Sequence, residues 1–198
     1  MDIYFSCLFA LLALINPVSK IFIISTLSGQ SQDREIRRIC IKASLAAACI
    51  LLLFALAGNF LLTIVFHVHL YSFQMVGGIV LFLRGLQALN KGLFFEIEAN
   101  QKLEDVSIVP LASPMIAGPA TITAAVSFPA HYGMIVTLLS MLGALLLNLF
   151  IMFYSRGISD YLKKYNLMGA LIRITGLIVA TIGAQMLLDG LNIYVGTL

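Results

Sequence analysis

Residues 111–124, LASPMIAGPATITA, are apolar enough to enter a lipid bilayer. Yet they carry Pro114, Gly118 and Pro119, with Ser113, Thr121 and Thr123 beside them. A helix crossing lipid must satisfy its backbone N–H and C=O groups internally, and each proline removes one donor and displaces the carbonyl four residues back. So many breakers persist at membrane depth only where protein or a water-lined cavity takes up the freed groups. Ninety-seven residues earlier, LINPVSK at 14–20 sets Asn16-Pro17 where Ser113-Pro114 stands in the later stretch. Two interrupted hydrophobic segments at matching places in the two halves of a chain point to a transporter's binding site.

The surrounding chain has the composition such a reading needs. Only 11% of the residues are charged, against about 25% in soluble domains. The apolar runs between the charge clusters approach or exceed the roughly 20 residues that cross a bilayer. The expected fold is an all-α integral membrane protein, one polytopic domain over residues 1–198, with six transmembrane helices of which the first and fourth are interrupted by proline and glycine. Segment one runs from about Ile3 to Leu27 and holds Asn16, Pro17, Ser19 and Lys20. Segment two begins near Ile39, and its uncharged part, Ala43 to Phe66, is 24 residues long, about 36 Å of helix. Segment three covers Ser72 to roughly Leu89, segment four Val106 to about Phe128, segment five Tyr132 to Tyr154, and segment six about Leu167 to Leu188. His67 to Tyr71 reads as a turn, as do Pro129 and His131, and Ser155 to Asn166 as a polar loop. With no third ligand near His67 and His69, these read as interfacial turn residues, and no metal or other cofactor is expected.

Charge asymmetry orients the chain. The net charge of +3 does not point to nucleic acid; its distribution matters more. Arg34, Arg37, Arg38, Lys91, Lys102, Arg156, Lys163 and Lys164 all lie in the loops after segments one, three and five. The turns after segments two and four, and both termini, contain no Lys or Arg. The positive-inside rule then puts both termini on the outer, periplasmic side. The start of the chain has neither a basic leader nor a small-residue cleavage motif and is expected to be a retained first helix. Cys7, Cys40 and Cys49 have no zinc or CxxC spacing and read as small packing residues.

A shift of 98 residues lays Gly78 over Gly176, Gly85 over Gly183, Gln87 over Gln185 and Gly92 over Gly190. A shift of 97 lays residues 14–17 over 111–114. Two matches in the same order at nearly one offset imply an internal repeat, about 1–92 and 104–191. Each unit holds three spans, an odd number, so the second copy is inverted with respect to the first. An inverted repeat has two related packings open to opposite sides, the physical basis of alternating access.

Breaks in helices supply chemistry of their own. Carbonyls freed by proline accept from an ammonium, a cation or water, while the exposed N–H groups at a helix start favour a carboxylate. The candidate binding set is therefore Asn16, Pro17, Ser19, Lys20, Ser113, Pro114, Gly118, Pro119, Thr121 and Thr123. A small zwitterion fits it, although ordinary kinks satisfied within the bundle would leave the same trace. Lys20 can meet a substrate carboxylate or extend to the headgroups. Arg84, deep in segment three, can pair within the bundle or likewise extend outward. Gln87 and Gln185 are repeat mates and candidate stabilisers of the repeat interface. No acidic residue stands near mid-membrane, so no carboxylate relay for proton coupling is evident and the coupling ion is left open. The sequence has no H-E-x-x-H, G-x-S-x-G, G-x-G-x-x-G or P-loop motif, and an enzyme is not expected.

With N-P in segment one and I-V-P-L-A-S-P-M-I-A-G-P in segment four, the chain resembles the MarC-related, UPF0056-type family of bacterial and archaeal inner-membrane proteins. That family is grouped with neutral amino acid transporters and, more distantly, with LysE-type exporters. The resemblance covers essentially the whole length. It implies six helices in two inverted repeats, transport of small neutral amino acids such as glycine, alanine or threonine, and a home in the bacterial inner membrane among its lipids. The family elements fall on Asn16-Pro17 and on Pro110, Leu111, Ala112, Pro114, Gly118 and Pro119. Ser19 and Ala120 stand where the family commonly has glycine, and both add bulk at a break. The leading expectation is a secondary transporter, export included, working by alternating access; a homo-oligomer is compatible with it. The alternatives are a non-transporting structural or regulatory membrane protein and a small-solute or ion channel.

Overall fold

The computed structural model describes residues 2–28, 33–92 and 116–196. Helix α1, Asp2–Ile15, gives way at Asn16 to α2, Pro17–Ser28. Helix α3, Asp33–Phe60, continues through a π-helical turn, Leu61–Val65, and α4 spans Leu70–Lys91. The second half holds α5, Pro119–Tyr132, α6, Met134–Phe153, α7, Ser155–Lys164, and α8, Met168–Val195.

The chain is an all-α, multi-pass membrane protein. Among the described residues, five helical stretches are long and apolar enough to cross: Ile3–Ile24, Asp33–Val65, Leu70–Lys91, Met134–Phe153 and Met168–Val195. The fourth expected segment is described only from residue 116 onward, and α5, at 14 residues, is about 21 Å long. That is shorter than the roughly 30 Å hydrocarbon core, so the described part of segment four does not cross by itself.

Side chains sort by what they face. Helix α3 turns small residues inward, with Ala43, Ala47 and Ala55 buried beside Leu51, and presents Leu45, Leu52, Leu56 and Phe60 on the opposite surface. Helix α6 likewise buries Ala144 and Leu145 while exposing Ile135, Leu139, Leu142 and Leu146. In water that much exposed apolar surface would be unstable; in a membrane protein it is the lipid-facing side.

Among the described residues, helices α4 and α8 form the most extensive contact, and they run antiparallel. Glycine makes this possible. A Cβ added at Gly85 would lie 2.4 Å from the Ala180 nitrogen, and one at Gly183 would lie 2.5 Å from the Phe82 nitrogen. Backbones this close leave no room for any side chain. Gly78 lies against Gly183, and Gly85 against Gly176.

Two boundaries differ from expectation. Pro129 and His131 sit inside the last turn of α5, and the chain turns at Gly133, whose φ of +85° suits a residue without a Cβ. Pro129 lacks the N–H that would have donated to Ala125 O, so the helix loses one ladder bond just before it ends. The expected polar loop at Ser155 to Asn166 is instead mostly helix α7, which packs on α2. It buries Ser155 and Ser159 and half-buries Ile158 and Leu162, one helical face, while its charged residues stay exposed. Its polar composition hid that periodicity. At its start Arg156 pairs with Asp33 at 2.6 Å, tying α7 to the beginning of α3.

Candidate functional site: two helix breaks on one cavity

The first break is built around Asn16, which has a left-handed φ of +52°. Asparagine is one of the few residue types other than glycine that takes this conformation readily. Pro17 follows as the first residue of α2, where its missing N–H would have had no ladder partner. The Asn16 N–H still donates to Leu12 O at 2.9 Å, but the Ser19 N–H turns to Asn16 O at 3.2 Å. In an unbroken helix it would have gone to Ile15 O. That carbonyl accepts instead from Lys20 Nζ.

Lys20 is only 1% exposed and is the largest fully buried side chain among the described residues. Extension to the headgroups, one of its two expected readings, is therefore not what this side chain does. A cationic group inside a membrane bundle is expensive unless it is bonded, which makes it a functional-site candidate by default.

The second break, as far as it is described, repeats the pattern. Gly118 is extended and Pro119 opens α5. The Ile122 N–H donates to Gly118 O at 2.9 Å. The Thr121 hydroxyl reaches both Ile116 O at 2.8 Å and Gly118 O at 2.9 Å. The Ser19 hydroxyl does the equivalent in the first half, donating to Asn16 O at 2.8 Å. Residues 16–19 and 118–121 thus share a proline at the second place and a hydroxyl three residues after the break. Ser113 and Pro114, the expected mates of Asn16 and Pro17, lie outside the described residues, as do Pro110, Leu111 and Ala112.

The breaks meet. Helix α1 packs on α5, and between them lies a cavity of about 100 Å³. Asn16, Ser19 and Lys20 line it from one side and Gly118, Pro119 and Thr121 from the other; Arg84 on α4 and Val179 on α8 close it. Helix α4 reaches this place through Gly77, where an added Cβ would sit 3.5 Å from both Pro119 Cβ and Thr123 Oγ1. Among the described residues, the charged groups on the wall, Lys20 and Arg84, are both basic. Beside them the N-terminus of α5 presents N–H groups without ladder partners, so the site favours a carboxylate, while the carbonyls at the breaks suit an ammonium. Drug-sized ligands occupy roughly 300–1,000 Å³; this cavity suits something far smaller.

The remaining expected residues stand elsewhere. Pro17 shapes the break without lining the cavity. Thr123 donates to Pro119 O at 2.8 Å and faces a second cavity. Arg84 Nη1 donates to Gln87 Oε1 at 3.2 Å, and Gln185 Nε2 to Asp189 Oδ1 at 2.8 Å. Those glutamine bonds run along their own helices, so across the α4–α8 interface it is glycine that makes the close approach. Leu14, Ile15, Val80, Leu81 and Val179 form apolar wall that the sequence did not single out. Nothing in an apolar run marks one leucine or valine from its neighbours; only packing selects them.

Comparison with known proteins gives a consistent result. The profile described as MarC family integral membrane protein matches residues 1–195. A UPF0056 membrane protein of Pyrococcus horikoshii is 36% identical over 184 residues, covering 91% of this chain and 89% of its own. One of Aquifex aeolicus is 30% identical, with 92% and 89% covered. The UPF0056 membrane protein YvbG of Bacillus subtilis is 28% identical, with 92% and 91% covered. No solved structure matches the chain.

Proposed function

We propose a function for this chain from one premise: it belongs to the MarC family of integral membrane proteins. Family membership suggests a transport-related role for this multi-pass, inner-membrane protein. The proposed activity is secondary transport of small neutral amino acids, the glycine, alanine and threonine class, by alternating access and with export as one direction served. The observation that carries this reading is the meeting of two broken helices on one small cavity whose charged wall groups, Lys20 and Arg84, are both basic. A carboxylate is held by the basic pair and the α5 N-terminus, and an ammonium by Asn16 and the carbonyls at the breaks. A volume near 100 Å³ suits a small solute far better than a drug-sized one.

The proposed architecture has six transmembrane helices in two inverted repeats, about 1–92 and 104–191, with both termini outside. What supports the inversion is the glycine packing. Gly78 meets Gly183 and Gly85 meets Gly176. Exchanging each glycine for its repeat mate turns one contact into the other, as a two-fold relation requires.

Purified protein in proteoliposomes tests the reading with radiolabelled amino acids. Saturable movement of glycine or alanine, competed by unlabelled neutral amino acids, is the expected result. No movement of any neutral amino acid under imposed ion gradients overturns it. Non-saturable leakage of small solutes would instead identify a channel.

A further inference from the structure

A second cavity, of about 290 Å³, lies next to the first. Four structural elements order the two in the same way. On the first helical segment Ala10 and Ala13 face the second cavity, and Asn16 and Lys20 the first. On α5, Gly118 and Thr121 face the first, and Thr123 and Phe128 the second. Helix α4 gives Arg84 to the first and Gln74 to the second, while antiparallel α8 gives Val179 and Asp189 respectively. Gly118 to Phe128, Gln74 to Arg84 and Val179 to Asp189 are each ten residue steps, about 15 Å of helix, and Ala10 to Lys20 is the same number of steps across the Asn16 break. The cavities are therefore stacked along the bundle and together span about half of a 30 Å hydrocarbon core.

Among the described residues, two line both cavities: Leu14 and Ala120. Leu14 from the first helical segment and Ala120 from α5 thus stand at the boundary of both cavities, each within two residues of a helix break. Both are apolar, and a hydrophobic constriction blocks water and solutes by dewetting without any polar latch. A small tilt at either break would shift one of these side chains relative to the other.

We propose that Leu14 and Ala120 form the gate between two aqueous vestibules, one on the Lys20 and Arg84 side and one on the Asp189 side. The vestibules have opposite polarity. Lys20 and Arg84 face the first, while Asp189, with Gln74 and the hydroxyls of Thr123 and Ser127, faces the second. A small zwitterion crossing the gate travels with its carboxylate toward the basic vestibule and its ammonium toward the acidic one. Ala120 sets the width of the passage, and with Leu14 it selects for size. The gate's purpose rests on the transport reading above. The following experiment measures aqueous access alone, so its failure and a failure to move amino acids are separate results.

In a chain whose Cys7, Cys40 and Cys49 are replaced by alanine, a single cysteine is placed in each vestibule wall, Val80→Cys in one protein and Ile182→Cys in another. Each is reconstituted in one orientation and treated with a charged, membrane-impermeant thiol reagent from either side. Because a minor conformer is populated at about 0.1–10%, each position should react at least about ten-fold faster from one face, and the two from opposite faces. Adding Leu14→Ala, or separately Ala120→Gly, should collapse that ratio at both positions. The proposal is overturned if both cysteines react from the same face, if neither reacts from any face, or if sidedness survives both gate substitutions.

Discussion

Ser19 and Thr121 make the same hydrogen bond in different halves of the chain. Each hydroxyl donates to the carbonyl three residues back, Ser19 to Asn16 O at 2.8 Å and Thr121 to Gly118 O at 2.9 Å. Each follows its proline by two residues, and both are buried, 3% and 2% exposed. A helix start without a regular N-cap is stabilised here from inside its own first turn, by a residue type that also adds polarity to a cavity.

The two bonds are not worth the same. Asn16 O also accepts from the Ser19 N–H, so Ser19→Ala should cost about 1 kcal/mol, the net worth of an ordinary hydrogen bond. Thr121→Val removes the donor to Ile116 O as well and should cost about 1–3 kcal/mol, because a buried acceptor loses its donor. Unfolding in detergent, compared between the two variants, checks the order; equal losses would contradict it.

Lys20 and Arg84 should differ in weight at the site. Lys20 is buried and bonded at the break, whereas Arg84 is largely exposed and bonded to Gln87. Lys20→Met keeps the length of the stem and removes the amine. It should lower the initial rate of glycine flux at least about ten-fold, or about 1.4 kcal/mol, and more than Arg84→Gln does. Rates from matched proteoliposome preparations decide.

Glycine substitutions should split cleanly by location. At Gly85 an added Cβ meets backbone at 2.4 Å, which side-chain rotation cannot relieve. Gly85→Ala should therefore cost about 3 kcal/mol or more, at the upper end of overpacking, or abolish folding. Gly157 on α7 has nothing within 4 Å of an added Cβ, so Gly157→Ala should stabilise by about 0.5–1 kcal/mol through helix propensity. Thermal melts of both variants report the sign.

Asn16 is held at a positive φ, and its replacements should rank by backbone freedom. Asn16→Gly should leave stability within about 1 kcal/mol of the parent, while Asn16→Val, β-branched and disfavoured there, should lose about 1–3 kcal/mol. If Asn16 also contacts substrate, the stable glycine variant will have a raised KM for transport. Melting and flux measured on the same preparations separate the two contributions.

The ion pair between Arg156 and Asp33 looks important because it bridges residues far apart in sequence. Its side chains are nevertheless 58% and 71% exposed. Solvent and salt screen such a pair, which is typically worth no more than about 1 kcal/mol. Arg156→Gln should shift unfolding by less than that, and the shift should shrink further at high salt.

The membrane class was legible because apolar run length is a one-dimensional property, and the bilayer sets its scale. The Asn16-Pro17 and Gly118-Pro119 breaks were legible too, since proline acts on its own backbone wherever it sits. Helix α7 was not, because its burying face is carried by serines amid charges. Gln87 and Gln185 occupy repeat-related positions, and the bond each makes runs along its own helix, between neighbours one turn apart.

Sequence by itself determined that this chain crosses a membrane several times, where its helices break, and that Lys20 is an unusual residue to find beside a break. Each follows from chemistry local to a few residues. Only the tertiary structure decided that the Asn16 and Gly118 breaks share one cavity, that Lys20 turns inward to Ile15 O, and that Leu14 and Ala120 stand between two cavities. Those depend on which helix faces which. That facing is set by close packing of glycine backbones and small side chains summed over whole helices, and no single position in the sequence carries that sum.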